Sequence, residues 1–206
     1  VYRLASTPTP YFLSRPRRFG KSLLLSTLEA YFLGKRELFE GLAIERLETE
    51  WATHAVLHLS LNAGQYQTVE ELDEMLEYQL GVWEQEYGVS KPGPTRSIRF
   101  LEVIKAAHAR TGRGAVVLID EYDKPLLNSF DNPALMEQYR SILTAFYTVL
   151  KDADPWLRFV FITGVTKFAQ MGIFSNLNQL SDISLTRPYA TLCGLTREEI
   201  EADFEP

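Results

Sequence analysis

The sequence predicts an α/β fold of three layers, with a mainly parallel sheet flanked by helices. Three observations carry this. Short apolar runs rich in β-branched residues recur along the chain, the segments between them repeat their apolar residues at spacings of three and four, and the two kinds of segment alternate. Alternation of this kind gives strands joined by crossover helices. The strands read as Tyr11–Ser14, His54–Asn62 (HAVLHLSLN), Ala115–Asp120 (AVVLID) and Leu157–Gly164 (LRFVFITG), with Ala190–Gly194 (ATLCG) as a fifth. Leu24, Leu28 and Tyr31 or Phe32 form one helical stripe, and Leu135, Tyr139, Ile142, Phe146 and Leu150 another, both expected to face the sheet.

Val69–Tyr87 opens with Thr68 and Glu71 at capping-box spacing and sets Leu72, Met75, Leu76, Leu80 and Trp83 on one face. The KPGPT link at 91–95 separates it from a helix over Ile98–Ala109 without dividing the chain into two cores. Thr196 and Glu199 repeat the capping box near the end, where Ile200 and Phe204 begin an apolar stripe. A single domain over 1–206 is expected, as an excerpt of a longer protein.

With 206 residues and 46% hydrophobic content, the chain can bury a core without disulfides or a structural metal. Its one cysteine, Cys193, excludes an internal bridge and a paired-cysteine zinc site, and fits a reducing compartment. A net charge of −6 argues against direct nucleic-acid binding by the domain as a whole. There is neither a secretory signal pattern at the start nor an apolar run long enough to cross a bilayer, so a cytoplasmic location is expected. His54, His58 and His108 are scattered, away from partners at metal-ligand spacing.

The chemistry concentrates in Ser14-Arg15-Pro16-Arg17-Arg18-Phe19-Gly20-Lys21-Ser22, between a short strand and an amphipathic helix. A loop there turns backbone N–H groups of a helix N-terminus toward a polyphosphate. Lys21, an expected exposed loop cation, reaches the outer phosphates, Ser22 ligates Mg²⁺, and Gly20 lets the backbone approach closely. The binding run extends from Arg15 through Leu23. The general G-x-x-x-x-G-K-[ST] pattern has glycine where this chain has Arg15, so the match is partial, and a basic turn capping a core helix would also read this way.

A second element narrows the choice. Val116–Ile119 run into Asp120 and Glu121, so a buried strand delivers two carboxylates at the carboxyl edge of a sheet, where open α/β sheets bind ligands. Asp120 suits the Mg²⁺ shell, and Glu121 suits orienting or deprotonating an attacking water. Thr163 would emerge beside these carboxylates if its strand neighbours theirs, near a γ-phosphate; a strand-terminal Thr before a Gly turn is the alternative. Lys167 reads as a phosphate contact or as an exposed lysine.

The runs YFLSRPRRFGKSLLLSTLEAYF, LIDEYDKPL and FITGVTKFAQMGIFSNLNQLSDIS together resemble the AAA-ATPase-like proteins of bacteria and archaea. The resemblance implies a P-loop NTPase core, ATP rather than GTP, Arg15 as a family trait, and Asp120 with Glu121 as the acidic pair. It places Asp123 and Lys124 in the same block without fixing their roles. It also implies a C-terminal nuclease-like domain in the parent protein. The expected function is Mg·ATP binding with hydrolysis, in which Lys21, Glu121 and Thr163 act at the reacting phosphate and charge is neutralised by Arg17 and Arg18 in cis or by an arginine from a partner subunit or a lid further along the parent protein. The alternative is a non-hydrolysing nucleotide-binding or switch module that regulates an attached domain or partner; an oligomer stays open.

Overall fold

The computed structural model describes residues 1–167, 170–174, 177, 179–194 and 197–204. Five parallel strands, β1 (Tyr11–Ser14), β2 (Val56–Ser60), β3 (Ala115–Asp120), β4 (Leu157–Gly164) and β5 (Ser181–Asp182), form one sheet in the order β2-β3-β4-β1-β5. Helices α1 (Tyr2–Ala5), α2 (Lys21–Phe32), α3 (Ile44–Leu47), α4 (Val69–Tyr87), α5 (Arg96–Thr111), α6 (Lys124–Asn128), α7 (Pro133–Asp152), α8 (Gln170–Ile173) and α9 (Arg197–Phe204) complete the described chain. None is long and apolar enough to cross a membrane.

The central strands bury both faces, and alternate residues divide between two cores. Tyr11, Leu13, Val116, Leu118, Phe159 and Phe161 meet Leu24, Leu25, Leu28 and Phe32 of α2. On the other face, Phe12, Leu57, Leu59, Val117, Ile119, Val160 and Ile162 meet Leu72, Leu76, Leu80 and Trp83 of α4, Phe100 and Ile104 of α5, and Tyr139, Leu143, Phe146 and Leu150 of α7. Hence the three layers. Phe100 stacks on Phe146 at 4.6 Å between ring centroids, which locks α5 to α7.

Helix ends follow local chemistry in part. Thr95 Oγ1 accepts from Ile98 N at 3.3 Å, and Asn132 Oδ1 accepts from Leu135 N at 3.1 Å ahead of Pro133. The box at α4 forms differently: the Thr68 side chain does not cap, and Glu71 accepts instead from Gln67 N at 3.1 Å. Thr196 lies outside the described residues.

The edge of the sheet departs from the sequence pattern. Ala190–Gly194 is not a strand, because Arg187–Tyr189 wind into a 3₁₀ turn and Cys193 takes a left-handed φ of 57°. The fifth strand is Ser181–Asp182, which pairs with Tyr11 and Phe12. Strand β2 is shorter than HAVLHLSLN suggests, although Leu61 N still donates to Asp120 O at 3.1 Å.

Candidate functional site

Strand β4 lies between the strand that feeds the basic loop and the strand that carries the carboxylates. This order brings Thr163, Asp120 and Ser22 together. Thr163 Oγ1 donates to Asp120 Oδ1 at 2.6 Å, and Ser22 Oγ donates to Asp120 Oδ2 at 2.6 Å. Asp120 is buried, and each of its oxygens is held by a hydroxyl from a different element. A carboxylate removed from water requires such donors.

Gly20 ends the loop at φ 80° and stands as the residue before α2, with nothing within 4 Å of where a Cβ would sit. Leu24 N is the first amide of α2 to return to the loop, donating to Gly20 O at 2.9 Å. The N–H groups of Lys21, Ser22 and Leu23 therefore meet no acceptor among the described residues, as at any helix start. Arg17 and Arg18 are exposed and without an ion-pair partner among the described residues; Arg18 also takes a left-handed φ of 67°. Phe19 is exposed beside Gly194, and Leu23 faces solvent.

Lys21 differs from expectation. It is 4% exposed, and its Nζ donates to Arg15 O and Pro16 O, both at 3.1 Å. The ammonium is folded back under its own loop, because a buried cation takes the nearest carbonyls. Arg15 also serves differently from a glycine. Its φ is not in the left-handed region, so the side chain costs no backbone strain there. Its guanidinium donates to the carbonyls of Ser14, Ser184, Tyr189, Ala190 and Leu192.

Glu121 leaves β3 with a left-handed φ of 54°. A non-glycine residue in that region is uncommon and marks a sharp change of chain direction. Glu121 is half-buried, and its carboxylate has no hydrogen-bond or ion-pair partner among the described residues. The turn carries Tyr122 N to Thr163 O at 3.0 Å and aims Asp123 at the chain after β4. There Asp123, 1% exposed, accepts from Val165 N at 3.0 Å, Thr166 N at 2.7 Å and Thr166 Oγ1 at 2.8 Å. Gly164 makes this possible: a Cβ would sit 2.4 Å from the Tyr122 ring and 2.9 Å from Asp123 Oδ1.

Lys167 pairs with Asp182 at 2.8 Å instead of projecting freely. Burial raises the Asp182 carboxyl, but Lys167 and the Ser184 contacts outweigh burial and hold it below the ordinary aspartate value. Sequence reading missed Ser184, whose Oγ accepts from Ser14 N at 2.8 Å. No signal in the sequence marks it, since its partner lies 170 residues away.

The residues present fit a Mg²⁺-bound polyphosphate. A hydroxyl and a carboxylate oxygen stand adjacent at Ser22 and Asp120, both hard oxygen donors of the kind Mg²⁺ takes. Amide donors and Lys21 belong to the same loop and helix start as Ser22, and Arg17 and Arg18 of that loop have no ion-pair partner among the described residues.

Among known proteins, the family described as predicted AAA-ATPase matches residues 1–174. A relative from Azotobacter chroococcum mcd 1, printed as "Uncharacterized protein in vnfD 5'region", is 40% identical over 205 residues, which are 99% of this chain. The chain spans 40% of that relative's length. No solved structure matches. With most of its length covered, and with an all-parallel sheet that carries the basic loop and the carboxylates at one edge, the chain belongs to the predicted AAA-ATPase family.

Proposed function

We propose that the chain binds Mg·ATP at the carboxyl edge of its sheet and hydrolyses it. The observation that supports this most is the bridge through Asp120, which joins the start of α2 to the end of β4. A site for phosphate alone needs the loop; a bridge of this kind adds a metal-holding carboxylate beside it. Ser22 and Asp120 would hold Mg²⁺, which supplies charge neutralisation for the phosphates when bound.

The remaining roles follow from position. Free amides at the start of α2 hold the phosphates, and Lys21 exchanges a loop carbonyl for a phosphate oxygen. Glu121, with its carboxylate uncommitted, orients the attacking water and accepts its proton. Thr163 keeps Asp120 correctly turned by donating to its Oδ1. Arg17 and Arg18 offset charge that develops on the transferred phosphoryl group. A second reading, nucleotide binding without turnover to regulate an attached domain, is favoured by the ties from Arg15 to the segment after β5. The relative's greater length leaves room for such a domain.

Calorimetry with Mg·ATP and phosphate release on the parent chain and Glu121→Gln test the proposal. Both should bind, and only the parent should turn over. Absence of binding at millimolar Mg·ATP refutes the nucleotide reading, and equal turnover in the variant refutes the role of Glu121.

A further inference from the structure

Arginine stands where the general phosphate-loop pattern has its first glycine, and the structure gives that arginine more contacts than any other loop residue. Nε donates to Leu192 O at 3.2 Å, Nη1 to Ser14 O at 3.2 Å and to Ser184 O, and Nη2 to Tyr189 O at 3.2 Å and Ala190 O at 3.4 Å. A guanidinium only donates, in a rigid fork, so a set of converging carbonyls fixes both its place and its plane. None of these acceptors is a carboxylate. The contact is therefore a positional one, made to backbone that comes together only when the chain after β5 folds against the loop.

The same residue is held through its main chain. Arg15 N donates to Gly164 O at 3.2 Å, which ties it to the end of β4, and Arg15 O receives Lys21 Nζ at 3.1 Å. Ser14 N adds a bond to Ser184 Oγ at 2.8 Å. The carbonyl that sets the place of the lysine ammonium thus belongs to the residue whose side chain is docked on Ser184–Leu192.

We propose that Arg15 is the positioning residue of the phosphate loop, holding the carbonyl that receives Lys21 by anchoring its guanidinium to the segment Ser184–Leu192. This rests on the nucleotide reading above. Arg15 does not touch the nucleotide; it acts through Lys21 and the loop backbone. A displacement of about 1 Å in such a frame is enough to weaken a phosphate contact strongly. By linkage, a nucleotide that depends on the frame also steadies Ser184–Leu192, so occupancy of the site is passed to the chain beyond it.

The test compares the parent chain with Arg15→Ala and Arg15→Lys, at a temperature where each is folded, by calorimetry with Mg·ATP. Alkylation of Cys193, the single cysteine, by a maleimide without nucleotide gives a second readout. Cys193 is half-buried next to Leu192, and its thiol is raised by burial and drawn down by Arg15 and Lys21. Loss of the Arg15 charge alone would lower the thiolate fraction, so faster alkylation reports exposure of the segment.

Arg15→Ala is expected to weaken Mg·ATP binding roughly tenfold or more and to speed alkylation. Arg15→Lys, a point charge that cannot span the same carbonyls, should fall between. A role in folding alone would lower the melting temperature while leaving affinity and alkylation of the folded variant unchanged, and that result overturns the proposal. If Arg15→Ala does not fold, parental affinity and alkylation in Arg15→Lys overturn it equally. Failure of the parent itself to bind Mg·ATP overturns the nucleotide reading and the positioning role together, whereas parental binding in a folded variant overturns the positioning role alone.

Discussion

Replacing Thr163 by valine keeps the shape of a fully buried side chain and removes the one hydroxyl that donates to Asp120 Oδ1 at 2.6 Å. A hydrogen bond to a charged group contributes about 1.5–3 kcal/mol, and the added buried methyl returns about 0.8 kcal/mol. The net loss is about 1–2 kcal/mol. For a chain of this length each kcal/mol moves the melting temperature by about 2–4 °C, so a fall of about 2–8 °C is expected. Ser22→Ala removes the donor on the other carboxylate oxygen, but Ser22 is exposed and water can take its place. Its cost should be smaller, below about 1 kcal/mol. Urea unfolding without nucleotide, on the parent, both single variants and the double variant, measures the terms and their coupling through the shared carboxylate. Turnover of Thr163→Val at saturating Mg·ATP should fall as well, because Asp120 loses the bond that turns it. If Thr163→Val is as stable as the parent, or Ser22→Ala costs more, the bridge does not hold Asp120 as argued.

Lys21→Ala should abolish Mg·ATP binding in calorimetry and also cost about 1–3 kcal/mol in urea unfolding, since it removes a buried ammonium that donates to two loop carbonyls. Gly164→Ala forces a Cβ to within 2.4 Å of the buried Tyr122 ring and should destabilise the fold by about 1–3 kcal/mol, read as a lower urea midpoint. Asp182 has its pKa lowered in the folded state, so the stability it contributes is present above its ordinary value of 3.8 and is lost as pH falls through its folded pKa. Lys167→Ala should flatten that acid limb, which thermal unfolding between neutral and acid pH can measure.

Most of the frame is legible in the sequence because its causes are local. AVVLID and LRFVFITG read as buried strands because their apolar stretches, Val116–Ile119 and Phe159–Ile162, leave no solvated face, and β3 and β4 occupy those residues. The crossover helices show through apolar spacing, and Asn132 with Pro133 starts α7 by bonds made within a few residues. Glycine before Lys21-Ser22 marks a loop entering a helix, and α2 begins there. At the edge the local signal fails. Ala190–Gly194 has strand-like residues, yet the place beside β1 goes to Ser181–Asp182, whose two residues are too few to form a pattern.

What the tertiary structure decides is which distant groups meet. The sequence holds Thr163 and Asp120 on separate runs, and only the insertion of β4 between β1 and β3 brings their side chains to 2.6 Å. Lys21 reads as an exposed cation from its polar neighbours, but the curl of the loop puts two carbonyls over it. Arg15 is the clearest case. Its acceptors are backbone carbonyls, which every residue carries and no sequence pattern can distinguish, and they converge only after a segment some 170 residues further on has packed against the loop. Local periodicity and turn chemistry thus determine where the elements of this chain begin and end, while long-range packing determines which of their polar groups share a site.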